Sequence, residues 1–131
     1  MNIFETLNIF IAGLISGIIL YQSFIVASSV FKSLELEYSR VLLRSIFPKF
    51  FLVILLLGIT GLFVSIKNQS NFYSMIVFIM TSIFSLICYA IIPKTNEASD
   101  ENNQTKFKLL HSLSVILTMI VLIINISIIF D

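Results

Sequence analysis

Four long stretches without a charged side chain constrain the fold of this sequence more than any other feature. Asp, Glu, Lys and Arg are missing from residues 6–31, 50–66, 68–93 and 109–130, which are runs of 26, 17, 26 and 22 residues. A helix that crosses the hydrocarbon core of a bilayer needs roughly 20 mainly apolar residues, with a range of about 17–25. All four runs reach that length. We therefore predict an all-α integral membrane protein, with a single four-helix bundle over residues 1–131.

The composition excludes several other classes of protein. Hydrophobic residues make up 58% of the chain and charged residues 11%, against about 25% charged in a typical soluble domain. The four runs are apolar on every face, whereas the strands of a membrane barrel alternate apolar with polar residues. A net charge of +1 is unlike the basic surface of a nucleic-acid-binding domain, so we expect the lipid bilayer and no nucleic acid as partner.

Charged and polar residues between the runs set the expected helix bounds. The predicted membrane helices are 6–31, 47–66, 71–93 and 107–130. In segment 32–46, apolar side chains recur every three or four residues while Arg40 and Arg44 share another face, which is typical of an amphipathic interfacial helix. The pattern does not decide whether this segment lies on the membrane or extends the first helix. Residues 94–106 are polar and mixed in charge, and they predict a flexible linker.

The basic residues predict the orientation of the bundle. With four spans, seven of the eight Lys and Arg residues lie on the side of the two longer connections, and only Lys67 lies on the side of the termini. Cytoplasmic loops are enriched in Lys and Arg. We therefore expect both termini outside and segments 32–46 and 94–106 in the cytoplasm. The expected interface anchors are Arg40, Arg44 and Lys49.

Small and polar side chains inside the spans are candidates for helix packing or for a site. Glycines lie three or four residues apart in two spans, as Gly13, Gly17, Gly58 and Gly61. Such residues let helices approach closely in lipid, where the hydrophobic effect does not drive association. The polar intramembrane candidates are Tyr21, Gln22, Cys88, Thr118 and Asn125. These positions predict either the helix interfaces of the bundle or the lining of a cavity or substrate path.

Residues able to hold a metal or perform catalysis are few. The sequence contains no phosphate-binding glycine loop, GxSxG elbow or HExxH motif, so we expect no catalytic residue and no enzymatic activity. A tetrahedral metal site takes three or four His, Cys or carboxylate ligands. Cys88 and His111 supply two, and no predicted span contains a carboxylate. We expect no metal site or cofactor; haem or metal binding centred on His111 is the alternative to a histidine that bonds to a neighbouring helix.

The dipeptide Phe47-Pro48 is expected to begin the second membrane helix, because proline is tolerated in a first turn. It also belongs to a longer pattern. A glycine in the first span precedes Phe-x-x-Leu and Phe-Pro-x-x-Phe, a proline follows the third span, and Phe-x-x-x-His-x-x-Ser opens the fourth. The positions are Gly17, Phe31, Leu34, Phe47, Pro48, Phe51, Pro93, Phe107, His111 and Ser114. In this order and spacing the chain resembles the transmembrane protein 205-like family and its bacterial relatives of unknown function.

The resemblance implies a four-span protein of the bacterial inner membrane and supplies no agreed activity. The family often has an asparagine four residues after the serine of the last motif, where this chain has Thr118. The chain departs from the family at that position.

Three functions are compatible with these features. The first is a structural or accessory subunit that packs against other membrane subunits, or against a second copy, through its small-residue faces. The second is a transporter for metal-containing or toxic solutes, which the resemblance suggests. The third is haem or metal binding centred on His111. Conduction usually requires charged or strongly polar rings along a path, and the spans contain none, so we favour the first function.

Overall fold

The computed structural model describes residues 1–69 and 71–131 and confirms the all-α class. Four helical stretches in it are long and apolar enough to cross a membrane. No strand occurs among these described residues. Their helical elements are α1 (Ile3–Leu20), a π-helical segment (Tyr21–Val26), α2 (Ala27–Ser33), α3 (Leu36–Lys67), α4 (Phe72–Ala90), α5 (Ile92–Asp100) and α6 (Gln104–Ile128).

The first span is one continuous rod of three elements. Asn2 caps α1, because its side-chain oxygen accepts the N–H of Glu5 at 2.9 Å while the Glu5 carboxylate accepts the N–H of Asn2. This reciprocal arrangement satisfies two of the N–H groups that the start of a helix leaves open. From there α1, the π-helical segment and α2 run without a break from Ile3 to Ser33. The span is therefore longer at both ends than the predicted helix 6–31.

The amphipathic segment 32–46 belongs mainly to the second long helix. The chain leaves helical geometry for two residues after α2, and α3 then begins at Leu36 rather than at Phe47. The hydroxyl of Ser39 lies 3.3 Å from the Val30 carbonyl oxygen, which gives the last turn of α2 a hydrogen-bond donor. Only Lys32 and Ser33 extend the first span, and the segment does not form a separate interfacial helix.

Pro48 lies inside α3 and does not start it. A proline in a helix interior removes one N–H, so the carbonyl of Arg44 loses its usual donor four residues later. Membrane helices tolerate this loss because neighbouring groups can satisfy the freed carbonyl. The helical pattern of apolar residues continues on both sides of Pro48, and the helix continues with it.

A short helix occupies most of the predicted flexible linker 94–106. Pro93 stands in the first turn of α5, which follows α4 after a single residue. After α5, Asn102 adopts a left-handed conformation with φ 54°, which asparagine tolerates better than most residues. Asn103 then caps α6 by accepting the N–H of Lys106 at 3.2 Å. Residues 94–106 therefore comprise most of α5, a tight turn and the start of α6.

The four spans pack in a ring in which the first span and α4 each contact both α3 and α6. This is the arrangement of an up-and-down bundle. The centre is filled by buried apolar side chains that include Ile15, Ile19, Ile54 and Phe78. We call the end that holds both termini the terminal end. The opposite end holds seven of the eight Lys and Arg residues and is called the basic end.

Candidate functional site

Two glycines of α3 accommodate the neighbouring helix α4. A Cβ placed on Gly61 would lie 2.6 Å from ring atoms of Phe78, and a Cβ on Gly58 would lie 2.8 Å from Ser82 Oγ. Both glycines are buried. At Gly61, therefore, the missing side chain lets the Phe78 ring lie directly against the backbone of α3.

Gly13 and Gly17 of α1 lie in a different environment. A Cβ placed on either glycine would meet no atom of another helix within 4 Å in the described part of the chain. Both residues are exposed. Glycine at these two positions is therefore not required for packing inside the bundle.

A lateral groove between the first span and α3 runs past these exposed glycines; we call it the α1–α3 groove. Its volume is about 860 Å³, within the range of about 300–1,000 Å³ that is usual for ligand pockets. Its first-span wall extends from Phe10 to Val26. Its α3 wall consists of Ile46, Lys49, Phe50 and Val53. These α3 residues all lie in the half of the bundle nearer the basic end, so the groove has two walls only in that half. Nearer the terminal end, only the open face of α1 lines it.

Three polar side chains line the two-walled part of the groove. Gln22 is 7% exposed, and its Nε2 has no hydrogen-bond acceptor among the residues that the structure describes. It lies in the π-helical segment, where the N–H of Ala27 donates to the Gln22 carbonyl; such segments are rare and often occur at functional sites. Lys49 is exposed, and its Nζ lies 3.5 Å from Ser45 Oγ. Tyr21, also exposed, lines the groove beside them.

The polar stripe of α4 lies in the core of the bundle. Its members Ser74, Thr81, Ser85 and Cys88 are all buried. Asn125 of α6 is buried as well, and its Nδ2 donates to Thr81 Oγ1 at 2.8 Å and to the Val121 carbonyl at 2.8 Å. The first of these bonds joins α4 to α6. Asn125, one of the predicted polar residues, therefore takes part in a contact between two helices.

A second buried polar contact was not predicted from the sequence. Ser65 of α3 donates from its hydroxyl to Asn8 Oδ1 of α1 at 3.3 Å, and both residues are buried. The spacing contained a signal, because Ser65 lies four residues after Gly61 on the same small-residue stripe. Asn8 likewise lies seven residues before Ile15 on the core face of α1. The contact joins the first span to α3 near the terminal end, whereas the groove separates them towards the basic end.

Cys88 and Thr118 lie beside a small interior cavity between the helices. Its volume is about 10 Å³, at the lower limit for one water molecule. Cys88 Sγ lies 3.8 Å from the carbonyl oxygen of Ser114, and Thr118 Oγ1 donates to the same oxygen at 2.7 Å. Both side chains therefore direct their hydrogen-bonding capacity to one backbone carbonyl of α6.

His111 lies on the exposed surface of α6. Its ring stacks on the Phe107 ring, with 5.6 Å between ring centroids and 4° between planes. Over residues 1–69 and 71–131, no three His, Cys, Asp or Glu side chains form a group that could hold a metal ion.

The predicted anchors and motif residues are distributed over the basic end. Arg44 pairs with Asp100 of α5 at 2.6 Å and also donates to the Asn96 carbonyl, which joins the start of α3 to α5. Arg40 is exposed. Phe51 is buried, and the Phe47 ring stacks on it with 6.3 Å between centroids. The remaining motif residues are exposed or half-buried: Phe31, Leu34, Pro48, Pro93 and Ser114.

Comparison with known proteins gives a family match over most of the chain. A family model described as a domain of unknown function, DUF4149, matches residues 10–104. This range contains the α1–α3 groove, both glycine pairs and the Phe-Pro-x-x-Phe motif, and it ends before His111. No curated protein and no solved structure matches the chain. This chain therefore belongs to the DUF4149 family.

Proposed function

We propose that the chain is an accessory subunit of a larger membrane assembly and packs against a transmembrane helix of its partner through the open face around Gly13 and Gly17. The contrast between the two glycine pairs is the observation on which the proposal rests. Atoms of α4 lie where side chains would stand on Gly58 and Gly61, while the space at Gly13 and Gly17 is open. Glycine costs a helix interior roughly 0.8–1 kcal/mol relative to alanine. Two glycines that the bundle does not need are best explained by a contact outside it.

The physics of helix association in lipid supports this reading. Lipid tails are as apolar as leucine, so helices associate through van der Waals packing and hydrogen bonds, and small residues at the contact allow the backbones to approach. Phe10 and Leu14, both exposed, line the same groove and would form the rim of such a contact. A partner helix would pack over the glycines and between these larger side chains.

The interior of the bundle favours packing over solute transport. Asn125 and Thr81 hydrogen-bond to each other in the core. The cavity beside Cys88 and Thr118 has a volume of about 10 Å³. Conduction paths are usually lined by polar or charged rings. In this core the side chains of Thr81, Thr118 and Asn125 are instead hydrogen-bonded to one another or to the backbone.

Leucine at both exposed glycines tests the proposal. We expect the Gly13→Leu and Gly17→Leu double variant to retain about tenfold less partner than the wild type after mild-detergent pull-down from native membranes, equivalent to about 1.4 kcal/mol. The bundle should stay folded, because both positions face open space. Thr60→Leu, at an exposed position of α3, is the matched control and should retain the partner. A wild type that purifies as a monomer alone, or a double variant that keeps its partner, would contradict the proposal.

A further inference from the structure

We propose that the two-walled, basic-end part of the α1–α3 groove binds one anionic glycerophospholipid. Its phosphate would lie at Lys49, an ester or phosphate oxygen would accept a hydrogen bond from Gln22, and an acyl chain would lie against the apolar walls. The inference goes beyond the proposed packing role and does not depend on it. Gln22 lies roughly 8 Å along the span from Gly17 and roughly 13 Å from Gly13, at a rise of 1.5 Å per residue.

Gln22 supplies the first reason. Its side chain is almost completely buried, it lines the groove, and its Nε2 has no acceptor within the described chain. A buried donor without a partner destabilises a fold, and the penalty is greater in a medium of low dielectric constant. An oxygen of a bound lipid would supply the missing acceptor.

Lys49 supplies the second reason. It directly precedes the charge-free run 50–66, so its ammonium group stands where the hydrocarbon region of the bilayer ends. Across residues 1–69 and 71–131 the ion pair between Arg44 and Asp100 is the only one, which leaves Lys49 without a carboxylate. A cation at this depth attracts the anionic headgroups of lipids.

The walls supply the third reason and indicate the class of ligand. The apolar side chains that line the groove together with Gln22 and Lys49 include Ile18, Val26, Phe50 and Val53. Sites of this kind are mostly apolar, with a few polar groups that fix the orientation of the ligand. A free phosphate would leave the apolar walls without contacts, whereas a phospholipid uses both the cation and the walls.

Native mass spectrometry of the purified full chain tests the site. The protein is mixed with phosphatidylglycerol or with phosphatidylcholine of the same acyl chains, and the retained lipid is counted. We expect one phosphatidylglycerol to be retained in preference to phosphatidylcholine. Lys49→Gln should reduce that preference about fivefold, which corresponds to ~1 kcal/mol at 1.4 kcal/mol per tenfold. Gln22→Leu, which keeps the side-chain size, should reduce retention by about as much.

The control and the contrary outcomes are specific to this site. Lys67→Gln changes the lysine at the opposite end of α3 and should leave lipid retention unchanged. Equal retention of the two lipids, an equal loss in Lys67→Gln, or displacement of the lipid by millimolar inorganic phosphate would overturn the proposal. A dimer of the chain that forms in place of the lipid adduct, and that is lost in Gln22→Leu, would also overturn the proposal. Since the purified chain is measured without a partner, the result is independent of the pull-down of the Gly13 and Gly17 variants.

Discussion

Replacing Phe78 with alanine is expected to lower the free energy of unfolding of the bundle by about 2–4 kcal/mol. In soluble proteins, Phe→Ala in a core costs about 3–5 kcal/mol, of which part is transfer from water and part is the cavity left behind. When helices separate within a detergent micelle, the side chain moves into another apolar medium, so the packing and cavity contribution remains and the transfer contribution is small. Phe78 is completely buried against Gly61. Titration with SDS, followed by circular dichroism, measures the loss.

Phe63→Ala is the matched control for this change. Phe63 lies on α3 in the same half of the bundle but is 65% exposed, so its removal leaves no cavity. We expect its effect to stay within about 0.5 kcal/mol, as for most surface substitutions. Equal losses in the two variants would show that Phe78 does not pack in the core as described.

Gly61→Ala is expected to destabilise the bundle by about 1–3 kcal/mol, because a methyl group would have to displace the buried Phe78 ring. The contact distance of 2.6 Å is far too short for the ring to remain in place. Gly17→Ala places the same methyl group in open space and should be neutral, or stabilising by up to about 1 kcal/mol through helix propensity. The same SDS titration measures both variants.

A double variant identifies the contact that is responsible. With Phe78→Leu in the background, Gly61→Ala should cost less than it does alone, since residues in contact show coupling energies of about 0.5–3 kcal/mol. Gly58→Ala should lie between the other two glycine variants, because the nearest atom it meets is the rotatable Ser82 Oγ. If the losses in unfolding free energy of Gly61→Ala and Phe78→Leu were additive in the double variant, the strain would not come from the contact between Gly61 and Phe78.

The features of the fold that follow from length and apolarity could be predicted from the sequence. Four charge-free runs specify four helices, because a helix satisfies its own backbone groups in lipid. The stripe Ser74, Thr81, Ser85 and Cys88 has helical spacing, and all four residues are buried. The small-residue pattern also picked out Gly58 and Gly61, which lie buried against α4.

Other features depend on tertiary contacts that periodicity does not contain. The dipeptide Phe47-Pro48 is compatible both with the start of a helix and with the interior of a membrane helix, so the sequence alone does not place the start of α3. The chain leaves helical geometry just before Leu36, where the Ser39 hydroxyl donates a hydrogen bond to the Val30 carbonyl. The polar run 94–106 has the composition of a linker, and the sequence does not show that its residue Asp100 pairs with Arg44. Gly13 and Gly17 share the spacing that indicates packing, yet spacing alone does not show that the other helices of the described bundle leave them open.

Photocrosslinking in native membranes shows whether a partner helix lies against the face around Gly13 and Gly17. Leu14, which lines the groove together with both glycines, is replaced by a diazirine analogue of leucine. The same analogue at Ile83, on an exposed face of α4, is the control. We expect a protein adduct of one discrete mass from position 14, its loss in the Gly13→Leu and Gly17→Leu double variant, and only lipid adducts from position 83. Only lipid adducts from both positions would contradict the proposal.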